Sequence, residues 1–181
     1  MIEIDWDLGE GVRIRTLVPG DADALFMLVD ANRERLRPWM IWEPTTTSPA
    51  DTLAFIERSR ASSSDAEANG IWVQGKLAGT MGLAIETLAN GAEIGYWIGG
   101  DYEGQGLITR GCRRFFDEGF QALGLHRIEL KAAEGNVRSQ AVAERLGMTR
   151  EAVLREAVRV HDGYLDLIVY GMLEHEWAAI T

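Results

Sequence analysis

The residues with the clearest chemical content form one turn, Gly99-Gly100-Asp101-Tyr102-Glu103-Gly104-Gln105-Gly106, which leads into an amphipathic helix. Glycines there let backbone amides approach an anion, and a helix N-terminus adds the positive end of its dipole. The chemistry on offer is phosphate binding, with a plain structural turn as the alternative. A nucleotide-triphosphate loop needs Lys and then Ser or Thr after its last glycine, but Gln105 and Gly106 follow Gly104. A dinucleotide fingerprint needs a third small residue where Thr109 stands. Further on, Asn136-Val137-Arg138-Ser139 sets a hydroxyl one turn after a side chain that can cap a helix. Glu93 lies shortly before the turn, and Glu156, Asp166 and His161 are the other titratable candidates. Trp39 and Trp42 sit in a stretch flanked by prolines and either line a binding cleft or cover the edge of the core. Cys112 shares an apolar helix face with Ile108, Phe115 and Phe116 and is read as core. No serine stands at a hydrolase spacing from a histidine.

The elements that must position these groups follow from periodicity. Val12 to Leu17 alternates as a first strand, and Pro19-Gly20-Asp21 breaks it. Asp21 is expected to cap a helix carrying Leu25, Leu28, Val29 and Leu36 on one face. Ser48-Pro49-Ala50-Asp51 is a second helix start. The stretch Ala61-Ser62-Ser63-Ser64-Asp65 is a loop. Strands are predicted over 70–74, 77–86 and 93–98. The long helix then places Ile108, Cys112, Phe115, Phe116, Phe120 and Leu123 at three- and four-residue steps and stops at Gly124. Ile128, Leu130 and Ala132 alternate as a half-buried strand, and a helix runs from Asn136 to Leu146. Residues 150–160 are ambiguous between helix and strand, and Asp162-Gly163 favours a hairpin returning over 164–173. This order indicates an α+β fold with a mixed, mostly antiparallel sheet of about seven strands flanked by helices.

The combination of Glu93-Ile94-Gly95-Tyr96-Trp97-Ile98, Tyr102-Glu103-Gly104-Gln105-Gly106-Leu107-Ile108-Thr109, Asn136-Val137-Arg138-Ser139 and Leu146-Gly147-Met148 resembles the GNAT superfamily of acetyl-CoA-dependent N-acetyltransferases. Within it, the chain is similar to the ribosomal-protein N-terminal acetyltransferases of the RimJ/RimL type, from Val12 to about Trp177. One departure is Asp101, where the family usually has Gln or Arg. The resemblance implies a sheet splayed at the acetyl-CoA site. Amides of Gly104, Gln105, Gly106, Leu107, Ile108 and Thr109 would hold the coenzyme's pyrophosphate, with no metal needed. The strand ending at Ile98 would pair with the pantetheine arm, and a backbone N–H near Trp97 or Ile98 would stabilise the oxyanion. Asn136 would contact the coenzyme arm, and Ser139 would protonate the departing thiolate.

The resemblance does not supply the base, because simple alignment puts Val158 where RimL-type enzymes carry a glutamate. Glu93 is the first substitute; Glu156, Asp166 and His161 are weaker ones. A free α-amine titrates at about 7.7–8.0 and is partly neutral near pH 7, whereas lysine at about 10.4 is not, so an N-terminal acetylator needs only a modest base. The expected reaction is acetyl transfer by direct attack of a primary amine within a ternary complex. The acceptor implied is a protein N-terminus, with Trp39 and Trp42 lining its cleft. A small amine (polyamine, amino acid or aminoglycoside) and a non-catalytic coenzyme A-binding module are the alternatives. A dinucleotide oxidoreductase is opposed by Thr109 and by the mixed topology.

Composition fits this reading. At 181 residues, with 46% hydrophobic and 25% charged residues, one domain over 1–181 is expected, and disordered or fibrous classes are excluded. A net charge of -10 disfavours nonspecific nucleic-acid binding and either steers cationic substrates or merely keeps the protein soluble. A single cysteine excludes an intramolecular disulfide. The acidic start Met1-Ile2-Glu3-Ile4-Asp5 lacks the features of a signal peptide, and no apolar run reaches membrane-spanning length. A cytoplasmic location is therefore expected, with no membrane partner, and the resemblance implies a homodimer.

Overall fold

The computed structural model describes residues 3–61, 65–161 and 163–180. Its frame is one eight-stranded sheet in the order β1-β2-β3-β4-β5-β6-β8-β7. The strands are β1 (Asp5–Gly9), β2 (Val12–Thr16), β3 (Asp65–Val73), β4 (Lys76–Glu86), β5 (Gly91–Ile98), β6 (Arg127–Ala133), β7 (Thr149–Val160) and β8 (Gly163–Leu173). The helices are α1 (Ala22–Asp30), α2 (Arg33–Leu36), α3 (Pro49–Ala61), α4 (Leu107–Asp117), α5 (Val137–Arg145) and α6 (Glu174–Ile180). Among the described residues, no helix is long and apolar enough to cross a membrane.

Helices cover both faces of the sheet. On one face α1, α2 and α3 enclose Leu17, Leu25, Val29, Ile56, Leu77 and Trp97. On the other, Cys112, Phe115 and Phe116 of α4, Val142 and Ala143 of α5 and Trp177 of α6 pack with Ile14, Met81, Leu83, Ile94 and Ile128. Successive β5 side chains alternate between these layers, as a pleated strand requires: Ile94 and Tyr96 belong to the α4–α5 side, Trp97 to the α1–α3 side.

Every strand pair is antiparallel except β5 with β6. That parallel pair shares only three positions, Gly91 with Arg127, Ala92 with Ile128 and Glu93 with Glu129. Beyond Glu93 the two strands run on without pairing, to Ile98 and to Ala133. The splay expected from the resemblance is therefore present, and it leaves a row of β5 and β6 backbone groups without ladder partners.

Several local expectations change. The sheet has an eighth strand, β1, in which Trp6 and Leu8 pack against the core while Asp5 and Asp7 stay exposed. It joins β2 through Gly9-Glu10-Gly11, all at positive φ. The first helix does not reach Leu36: it breaks after Asp30 because Asn32 turns its side chain onto the Leu28 carbonyl (2.8 Å) and the Gly100 N–H (2.9 Å), tying this corner to the end of β5. Residues 150–160 are strand, and a further helix, α6, follows β8. Of the hairpin turn Asp162-Gly163, Asp162 lies outside the described residues, as do Ser62, Ser63 and Ser64 of the expected loop.

Asp21 does not cap α1 with its side chain. It is buried and accepts two bonds from Arg15, each 2.8 Å, and one from the Val18 N–H, also 2.8 Å. Burial alone would raise its carboxyl above the usual 3.8, but the Arg15 and Val18 bonds and the Arg15 charge outweigh that and lower it. A carboxyl lowered in the folded state contributes stability above its unfolded value and loses it as pH falls through the folded one. Asp21→Asn is therefore expected to destabilise by about 1.5–3 kcal/mol at neutral pH. Urea melts should show the gap to wild type closing at acidic pH.

Candidate functional site

The glycine turn opens α4 as its composition requires. Gly104 and Gly106 both adopt positive φ, +74° and +72°, and Gly106 is the N-cap. The first helical bond runs from Arg110 N–H to the Gly106 carbonyl, 3.0 Å, so the amides of residues 107–109 have no intrahelical partner. No acidic side chain occupies the first turn of α4 to neutralise them. Such a nest suits a phosphate.

This turn, the splayed edges of β5 and β6 and the start of α5 line one open cleft of about 1910 Å³. The cleft brings together Trp39, Trp42, Glu93, Trp97, Ile98, Gly104, Gly106, Leu107, Ile108, Thr109, Asn136 and Ser139. Gln105 is exposed, with its side chain turned back to the Asp101 carbonyl (3.1 Å). Phe55 and Arg58 of α3 line the same cleft, so it passes through the sheet from the α4–α5 face to the α1–α3 face. Two reactants can then meet at the splay from opposite sides.

The register assigns the free amides. Gly99 N–H donates to the Ala78 carbonyl on β4 at 2.8 Å. Backbone groups alternate in direction along a strand, so Trp97 N–H also faces β4, while Ile98 and Tyr96 present theirs to the opening. Of the two amides considered for an oxyanion, Ile98 has the suitable direction. The Trp97 ring packs instead against Trp42, with centroids 6.0 Å apart.

Asn136 caps α5, its Oδ1 accepting from Ser139 N–H at 3.2 Å. Ser139 Oγ lies 2.9 Å from the Tyr96 phenol oxygen, a contact absent from the sequence reading. Trp39 crosses the cleft to the loop before Asn136: its ring stands 3.4 Å from where a Gly135 Cβ would be. Glu103 is bridged by Arg35 of α2 and Arg138 of α5, tying both helices to the turn.

The candidate bases separate clearly. Glu93 accepts a bond from Lys131 Nζ at 2.8 Å. That bond raises the Lys131 ammonium, with partial burial opposing it. Lys131 thus stays charged and occupies one oxygen of the Glu93 carboxylate. Asp51 is engaged at the start of α3, accepting from Ser48 N–H and Oγ, each 2.9 Å. Glu34 lines the cleft without such a partner among the described residues. Glu156 and Asp166 lie in a separate small depression, with Glu156 N–H bonded to Asp166 at 2.8 Å. Val158, by contrast, lines the cleft. His161 is not among the lining residues; its Nε2 stands 3.5 Å from the buried carboxylate of Glu43, which also takes Arg33 at 3.0 Å. Burial pushes the Cys112 thiol far above its ordinary range, which keeps it a core residue rather than a nucleophile. Among the described residues, no group of three or more His, Cys, Asp or Glu could hold a metal ion.

Comparison with known proteins gives a consistent picture. The family described as acetyltransferase (GNAT) domain matches residues 12–149. A putative ribosomal N-acetyltransferase of Bacillus subtilis (strain 168), YdaF, is 36% identical over 176 residues, covering 94% of this chain and 95% of its own. A crystal structure of a probable acetyltransferase superposes with a TM-score of 0.89 at 34% identity, covering 96% of this chain and 99% of that one. The fold is shared with RimL, a ribosomal L7/L12 alpha-N-protein acetyltransferase in complex with coenzyme A, at a TM-score of 0.89 and 23% identity over 94% of this chain and 98% of that one.

Proposed function

The chain belongs to the GNAT acetyltransferase family, and on that premise we propose that the amine it acetylates is the N-terminal α-amine of a protein, a ribosomal protein in the first instance. The reaction moves an acetyl group from acetyl-CoA to a primary amine. Acetyl-CoA supplies an activated thioester carbonyl when bound. The observation that carries the choice of acceptor is the Glu93–Lys131 pair. The Glu93 carboxylate is engaged by the Lys131 ammonium and is placed to orient an amine rather than to stand as a free base, so the site suits an amine already partly neutral near pH 7, as an α-amine at about 7.7–8.0 is. The name of YdaF as a ribosomal N-acetyltransferase supports the same choice.

In this reading each residue has a defined task. Amides 104–109 and the dipole of α4 hold the pyrophosphate, and the free edge of β5 pairs with the pantetheine arm. Ile98 N–H donates to the acetyl oxygen as it gains charge. Glu93 accepts a hydrogen bond from the attacking nitrogen. Asn136 holds the coenzyme arm with its amide nitrogen while its Oδ1 keeps α5 capped. Ser139 protonates the leaving sulfur. Trp39 and Trp42 form the acceptor's wall.

The test offers the protein acetyl-CoA with peptides bearing free or blocked N-termini, and separately with polyamines, amino acids and aminoglycosides. Mass spectrometry of each product is expected to place the acetyl group on the peptide α-amine, with the blocked peptides unmodified even where they contain lysine. Acetylation confined to small amines would overturn the proposed acceptor.

A further inference from the structure

Tyr96 lines the cleft and bonds Ser139, and no task has yet been given to its phenol. The Tyr96 phenol oxygen lies 2.9 Å from Ser139 Oγ and 3.4 Å from the Ser139 carbonyl. Tyr96 projects from β5 two residues before Ile98, on the face that meets α4 and α5, and its ring packs against the core. We propose that Tyr96 is the positioning residue for protonation of the leaving group: its phenol donates to Ser139 Oγ and so leaves the Ser139 proton aimed at the departing sulfur. This rests on the reading of Ser139 as the proton donor.

The stereochemistry of a hydroxyl supports it. Serine carries one proton and two lone pairs, and its proton rotates to the best available acceptor. Of the two Ser139 oxygens near the Tyr96 phenol, Oγ at 2.9 Å is a much better placed acceptor than the carbonyl at 3.4 Å, so the phenol proton is assigned to Oγ. With a lone pair of Oγ occupied by the phenol, the serine proton must point elsewhere, and the cleft is the open side. Burial, with Cys112 nearby, pushes the phenol upward; the Ser139 bond and the Arg145 charge only partly offset this. The phenol therefore keeps its proton through the neutral range and acts as a fixed donor, not as a relay. The proton balance is simple. As the C–S bond breaks, the Ser139 proton passes to sulfur. The new amide nitrogen releases one proton, which restores Ser139 through solvent, and Tyr96 ends as it began.

The test is a double-mutant cycle of Tyr96→Phe and Ser139→Ala, since phenylalanine keeps the ring's packing and removes only the hydroxyl. Ser139→Ala is expected to lower kcat about 10²-fold, the lower end for a lost general acid, and Tyr96→Phe about 10-fold. The KM for acetyl-CoA should stay within about twofold in both, because the effect lies in the transition state. In the Ser139→Ala background, Tyr96→Phe is expected to cost nothing further. An unchanged kcat for Tyr96→Phe beside a lowered one for Ser139→Ala overturns the role of Tyr96 alone. So does a double mutant that loses the full Tyr96 factor again. An unchanged kcat for Ser139→Ala removes the reading of Ser139 as acid, and with it the basis of the proposal.

Discussion

Replacing Ile98 with proline is expected to lower kcat by about 10²–10³-fold, the loss typical of one oxyanion donor, while the protein still folds. Proline in a strand is ordinarily disruptive because it removes a ladder bond. Here the bond at risk does not exist: Ile98 N–H faces the opening between β5 and β6, where pairing has already stopped at Glu93. The residue before a proline must be extended, and Trp97 already is, as part of β5. Two controls separate the amide from the side chain. Ile98→Val keeps the N–H and should retain activity. Trp97→Pro removes a donor that faces β4 and should unfold the protein. Steady-state kinetics with acetyl-CoA, alongside thermal melts, decide the matter. A wild-type kcat for Ile98→Pro would mean that the oxyanion is held elsewhere.

The second large effect is expected at Gly79, which no catalytic argument would single out. On β4 it lies opposite Ile98, and a Cβ there would overlap the Trp97 carbonyl oxygen and stand 2.9 Å from the Ile98 Cα. Both obstacles are backbone, so neither can rotate aside. Gly79→Ala should therefore push β5 away from β4, at about 3 kcal/mol of stability. Any displacement of the Ile98 amide should add a loss in kcat, since misplacing a catalytic group by about 1 Å can cost on the order of 10²-fold. Gly111→Ala is the contrast: its Cβ would meet the flexible Met81 side chain and the Ile14 Cδ1, so the core can adjust in part and the rate should hold. Gly79→Ala with wild-type stability and rate would show that the strands tolerate the spread.

What the sequence made legible was what is encoded locally. The α4 turn, the Asn136 cap and the alternation of β6 each depend on residues a few positions apart, through glycine's freedom at positive φ or through side-chain period. The contacts that refine the site are not local. Tyr96 meets Ser139 across 43 positions, and Lys131 meets Glu93 across 38, so neither partner carries a signal by itself. Pairing also changes what Glu93 can do, which its position on a strand could not indicate. β1 was hidden by two acids on its outer face and by a turn in which Glu10, not only glycine, takes positive φ. α6 is short and anchored chiefly by Trp177, which packs on Phe116 at 5.2 Å and bonds Asp117 at 2.9 Å, both on a distant helix.

The three-residue seam between β5 and β6 also bears on how the molecule unfolds. Strands β1 to β5 form one antiparallel block and β6 to β8 another, and the sheet joins them by that seam alone. A ladder so short carries little cooperativity from one block to the other, so amides of β6 and β8 should exchange with solvent through partial openings that leave β2 to β4 protected. In the proposed binding mode, a substrate arm lying along the splayed edge would supply rungs where β5 and β6 do not pair. Occupancy would then register in hydrogen exchange as two unfolding units becoming one.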